Sequence, residues 1–153
     1  MRFILFILLF FCLKHSFAQS TFYYNHIKPY SNEPQSLAEC EDGYLVTGEN
    51  PFPGMHANGF LLFLNKKGDI LWEKNIIAPD PDKDEEYRAA IFYQEYFYVA
   101  GFRWINNQRK NILLKIDTQG NILLDKVFGG PYILGRDNYI PYMYANEEGI
   151  LLA

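Results

Sequence analysis

Apolar and aromatic residues in this chain fall in short, nearly unbroken runs, separated by clusters of Gly, Asn, Asp, Glu and Pro. No run sustains the period of 3.6 that an amphipathic helix requires, so the pattern predicts strands punctuated by turns. The first group of strands is placed at 36–40, 43–49, 59–64 and 69–76, and the second at 88–93, 96–102, 110–116 and 121–128. Within them Leu62, Leu64, Leu114 and Ile116 alternate with Leu61, Phe63, Leu113 and Lys115, as expected of strands covered on both faces. The fold class is all-β.

The turns sharpen this reading. Asn65-Lys66-Lys67-Gly68 and Asp117-Thr118-Gln119-Gly120 carry Asn or Asp at the first turn position and Gly at the fourth, where the backbone enters the left-handed region. Glu41-Asp42-Gly43 and Glu147-Glu148-Gly149 mark a second kind of hairpin turn. The turns recur because the sequence repeats. Phe60 to Lys74 aligns without gaps on Ile112 to Lys126 at a spacing of 52, Tyr44 to Gly48 lies over Phe97 to Gly101 at 53, and Glu147 to Ala153 falls on Glu41 to Thr47. Two antiparallel four-stranded units are expected, at about 36–76 and 88–128, followed by the start of a third at about 141–153; residues 19–35 form a lead-in.

A four-stranded unit of this length, ending in a Gly-Asp-Ile-Leu-Trp strand, resembles the blades of bacterial secreted β-propellers of the Kelch or quinoprotein-like kind. The resemblance is carried by Gly48, Gly68, Trp72, Gly101, Asp117 and Gly120. It implies an incomplete propeller, with Trp72 buried between blades. Because propellers typically hold about four to eight blades, the chain is expected to be the N-terminal portion of a longer protein. The resemblance does not choose an activity, since such folds host enzymes and scaffolds alike. The Asp-to-Gly hairpins are one residue shorter than in quinoprotein blades, and Leu124 stands where the first unit has Trp72. No quinone, and no other cofactor, is expected.

Residues 1–18 have the organisation of a cleavable export signal: Arg2, an apolar run from Phe3 to Leu13, and Ser16-Phe17-Ala18 before Gln19. The run is too short for the roughly 20 residues of a membrane span, so no stable span is expected. Bulky Phe11 before Cys12 argues against lipidation at that cysteine. The expected destination is the periplasm, the cell surface or the medium. Of the two cysteines only Cys40 would survive cleavage, leaving no intramolecular disulfide to form; it is expected to be a small buried hydrophobe.

Composition then limits the chemistry. The 153 residues are 49% hydrophobic and 21% charged with a net charge of −4, which is globular and offers no basic stripe for nucleic acid. Beyond the leader the serines are Ser20, Ser31 and Ser36, none in a Gly-x-Ser-x-Gly elbow, and His26 and His56 stand apart without a partner at zinc-site spacing. No catalytic residue is assigned. Asp80, Asp82 and Asp84 have the 1, 3, 5 spacing of a calcium loop, but Glu85 replaces the required Gly and Ile91 the required Glu. A solvated acidic linker is the preferred reading, and no metal is assigned.

The connections Asn50–Asn58 and Phe102–Arg109 occupy equivalent places in the two units and are expected at one end of the fold. They bring Phe52, Met55, His56, Arg103 and Trp104 toward one surface. Rings beside Arg and Asn suit a glycan or a peptide, so Phe52, His56, Arg103 and Trp104 are the candidate ligand-binding residues. The expected function is that of an exported, non-catalytic binding or surface-interaction module with a protein or glycan partner. The alternative is part of a propeller enzyme, a hydrolase, lyase or dehydrogenase, whose active site is assembled from further blades. Exposed blade edges, Ile150 to Leu152 among them, are expected to favour self-association.

Overall fold

The computed structural model describes residues 33–50, 57–76, 84–106, 108–128 and 142–152. They form ten strands and no helix. The first sheet holds β1 (Glu33–Glu39), β2 (Gly43–Asn50), β3 (Asn58–Asn65) and β4 (Ile70–Ile76). The second holds β5 (Glu85–Tyr93), β6 (Tyr96–Ile105), β7 (Gln108–Ile116) and β8 (Ile122–Phe128), and a third, two-stranded sheet pairs β9 (Met143–Asn146) with β10 (Gly149–Leu152). Each four-stranded sheet is an antiparallel meander in chain order.

Local chemistry explains the hairpins. In the β3–β4 turn the Gly68 N–H donates to the Asn65 carbonyl at 3.0 Å, and in the β7–β8 turn Gly120 does the same to Asp117. Both glycines are left-handed, with φ of 91° and 85°. The Asn65 and Asp117 side chains close their turns by accepting backbone N–H bonds from Lys67 and Asp69, and from Gln119 and Asn121. A register shift adjoins each turn: Leu71, opposite the step from Phe63 to Leu64, and Leu123, opposite the step from Lys115 to Ile116, are passed over in the pairing.

Gly48 and Gly101 have a different reason, visible only in the register. Opposite each, the first strand of its sheet bulges, at Gln35 in β1 and at Arg88 in β5. The bulge drives a carbonyl over the glycine: a Cβ on Gly48 would sit 2.1 Å from the Glu33 oxygen, and one on Gly101 would sit 1.9 Å from that of Glu86. The repeated glycines therefore mark repeated bulges.

The core lies between the two large sheets. Ala38, Cys40, Leu45, Leu61 and Phe63 of the first meet Tyr87, Ala90, Phe97, Val99, Ile112, Leu114 and Ile116 of the second. Four rings run across the seam, Trp72 to Phe63 at 5.5 Å, Phe63 to Phe97 at 5.6 Å and Phe97 to Phe92 at 4.9 Å. The opposite face of the first sheet buries Phe60, Leu62 and Leu64 with Val46, so β3 is covered on both sides as its run of apolar residues predicts. Strand β1 contacts β5, and β5 in turn contacts β9: the first strands of successive sheets are neighbours. Cys40 is buried and unpaired, as expected of a small hydrophobe.

Candidate functional site

One end of the two large sheets gathers most of the buried charge. It is the end where β2 passes to β3, β4 to β5 and β6 to β7. Residues 51–56, which include Phe52, Met55 and His56, lie outside the described residues, as do Asp80 and Asp82. The flanks of both candidate connections are described, and Asp84 joins them. Its carboxylate accepts the Ala57 N–H at 2.8 Å, and its backbone oxygen accepts the Trp104 N–H at 3.1 Å. The adjacent Glu85 N–H donates to the Ala57 carbonyl at 2.9 Å. The expectation that the two connections share one end is thus met by a direct bridge, with Asp84 spending a carboxylate oxygen on the backbone.

The second connection differs from expectation in form. Instead of an open segment over 102–109, β6 continues to Ile105 and β7 begins at Gln108, with Asn106 left-handed at φ 51°. Asn tolerates that conformation better than most residues, and Ile105 pairs with Gln108 across the hairpin. Arg103 and Trp104 consequently sit in a strand and point to opposite faces. Trp104 is half-buried, cross-strand from Arg109.

Arg103 faces inward, and this corrects its placement beside Trp104 on a loop surface. Its Nε donates to Glu85 Oε2 at 2.6 Å and its Nη2 to Glu85 Oε1 at 2.9 Å, while Nη1 and Nη2 donate to the two Asp125 oxygens at 3.2 and 3.0 Å. Four of five guanidinium N–H groups are committed to two carboxylate forks. Glu85 is fully buried, and it also accepts the Tyr87 hydroxyl at 2.7 Å. Burial and the Glu85 charge hold the Tyr87 phenol well above its ordinary pKa, so it remains a donor. The assembly ties β5, β6 and β8 together, and Tyr87 packs its ring under Gly59, where a Cβ would lie 2.5 Å away.

A second charged group lines the neighbouring face. Arg88, the bulged residue of β5, pairs with Glu86 and reaches Glu49 of the first sheet at 3.5 Å. Gln35, the bulged residue of β1, also donates to Glu49, at 3.4 Å. Arg109 lies over the Phe102 ring, 3.1 Å from its centroid, and 3.9 Å from Glu86. Burial, then the Glu86 charge, raises the Glu49 pKa; burial also raises that of Glu86, against the pull of Arg88.

Sequence reasoning missed Glu85, Tyr87 and Asp125, because Glu85 and Glu86 read as the end of an acidic linker. The signal was there in the alternation Glu85, Tyr87 on one side of an apolar strand. Among the described residues no group of three or more His, Cys, Asp or Glu side chains could hold a metal ion, and no helix is long and apolar enough to cross a membrane. No protein-family model matches the chain, and no curated protein matches it.

Proposed function

We propose that this chain is an exported, non-catalytic interaction module made of β-propeller blades, resembling the secreted Kelch or quinoprotein-like kind, and that it takes a glycan or a peptide at the end where Asp84 bridges the two connections. Three features support the propeller reading: two sheets of the same strand order, matching bulges, and first strands that neighbour one another from β1 to β5 to β9. The ligand reading is carried by the Asp84 bridge to Ala57 and Trp104, which fixes both flanks of a surface containing Trp104 and the Phe102–Arg109 stack. Residues 1–18 supply the export signal, removed before Gln19.

The test is an array of immobilised glycans and extended peptides probed with the chain and with Trp104→Ala. The reading expects retention on a restricted ligand set, lost in Trp104→Ala without a change in melting temperature. Retention on nothing, or retention indifferent to Trp104→Ala, would contradict it. Intact mass of the exported product should place Gln19 first.

A further inference from the structure

The seam between the two large sheets is held differently along its length. Toward the β3–β4 and β7–β8 hairpins it is a row of packed rings, closed by the Trp72 indole on Thr118. Where Asp84 bridges the connections, charge takes the place of rings. Glu49 of β2 and Glu86 of β5 have side chains only 13% and 11% exposed, and Arg88 Nη2 lies against both, bonded to Glu86 and 3.5 Å from Glu49. The other side-chain partner of Glu49 among the described residues is the Gln35 amide, at 3.4 Å. Two long contacts are thin compensation for a carboxylate so far from water. Thr47, two residues earlier on the same strand face, is fully buried with no partner for its hydroxyl among the described residues.

We infer that this end of the seam is a proton-operated latch, loosened when Glu49 and Glu86 are both ionised across it and drawn shut when the pair takes up a proton. Glu49 belongs to the first sheet and Glu86 to the second, so their repulsion acts between the sheets. The charged groups around them are Glu33 of β1, Asp84 ahead of β5, Arg88, and Arg109 of β7, which lies 3.9 Å from Glu86. Strands β3 and β9 bring no charge, while Glu85 and Arg103 are committed to each other and to Asp125. Four carboxylates thus share two guanidinium groups. A proton on either member of the pair removes the repulsion and leaves Arg88 to the other. Burial, with the Glu86 charge behind it, raises the Glu49 pKa above the ordinary 4.5, and burial raises that of Glu86 against the pull of Arg88. An opened seam returns both toward the ordinary value, so opening is least favoured below 4.5, gains as pH rises through the raised values, and then levels off. The latch rests on the contacts between the sheets and is independent of the ligand reading.

Hydrogen exchange tests it, because two amides donate across the seam at this end: Glu85 to the Ala57 carbonyl at 2.9 Å and Ala90 to the Ser36 hydroxyl at 3.0 Å. Their protection factors, which are free of the intrinsic pH dependence of exchange, should fall from about pH 5 to about pH 8, by up to about ten-fold per pH unit for each proton released. Amides of the β6–β7 ladder should change less. Glu49→Gln should raise protection of the two seam amides at neutral pH and flatten its pH dependence, and Glu86→Gln, a separate route to the same neutralisation, should do likewise. Arg88→Gln, which removes the shared cation, should lower protection at neutral pH. Protection that is level or rises with pH, the parent profile retained in both glutamine variants of the pair, or an equal fall throughout the β6–β7 ladder would overturn the inference.

Discussion

The indole Nε1–H of Trp72 donates to the backbone oxygen of Thr118 at 2.8 Å, from the last strand of one sheet to the last hairpin of the next. The ring lies over Gly120, where a Cβ would approach its Cδ2 and Cε2 to 3.1 Å. Gly120 is therefore needed twice, for its left-handed turn and as a seat for the neighbouring sheet. Leu124, the counterpart of Trp72 in the second sheet, is 41% exposed and makes no such contact with a described residue. The resemblance implies Trp72 buried between units; its hydrogen bond to Thr118 and its ring beside Gly120 do reach the next sheet, but the side chain is half-buried rather than buried.

Trp72→Ala should destabilise the chain by about 2–4 kcal/mol, from lost ring packing and an orphaned Thr118 acceptor. Trp72→Leu, the residue of the second unit, should lose less. Urea unfolding curves compare the three.

Gly101→Ala forces a methyl against the Glu86 carbonyl and should cost about 1–3 kcal/mol through displacement of the β5 bulge. The Arg88 to Glu49 contact should loosen with it. Thermal melts measure the cost, and the Arg88 side-chain resonances report the contact.

Arg103→Met removes the cation between Glu85 and Asp125 and leaves a buried carboxylate uncompensated, at a cost of about 3–5 kcal/mol. The double variant Arg103→Met with Glu85→Gln should recover part of that loss. A double-mutant cycle in denaturant separates the two effects.

Glu49→Gln should be more stable than the parent at neutral pH. The folded protein holds the Glu49 proton more tightly than the unfolded chain, because of burial and the Glu86 charge, so ionising it costs stability as pH rises above the ordinary value of 4.5. The advantage of Gln should shrink as pH falls back through the raised folded value and vanish below 4.5. Around Glu49 the facing groups are Glu33, Gln35, Asp84, Glu86 and Arg88, and none offers a second positive charge. Stability of both proteins from pH 4 to 8 gives the curve.

The strands were legible because their punctuation is local: Asn65 to Gly68 and Asp117 to Gly120 encode their turns within four residues, and a spacing near 52 confirms each by the other. Boundaries that depend on tertiary pairing were less so. β1 and β5 each begin three residues earlier than the apolar pattern suggests, because Glu33 and Glu85 pair with Glu49 and Arg103 across their sheets. The role of Arg103 was illegible for the same reason, since Glu85 and Asp125 meet it only once three strands are in register. Gly48 and Gly101 were visible as a repeat, but the bulges that require them were not.

The two four-stranded units stack in a fixed order, first strand beside first strand and Trp72 on the following hairpin. Proton–proton nuclear Overhauser effects in the isotopically labelled chain test it most directly. Contacts are expected from the Trp72 indole proton to Thr118 and Gly120, and from Ser36 to the Ala90 amide, whose N–H donates to the Ser36 hydroxyl at 3.0 Å. Intact ladders within each sheet with neither of these contacts between sheets would contradict it.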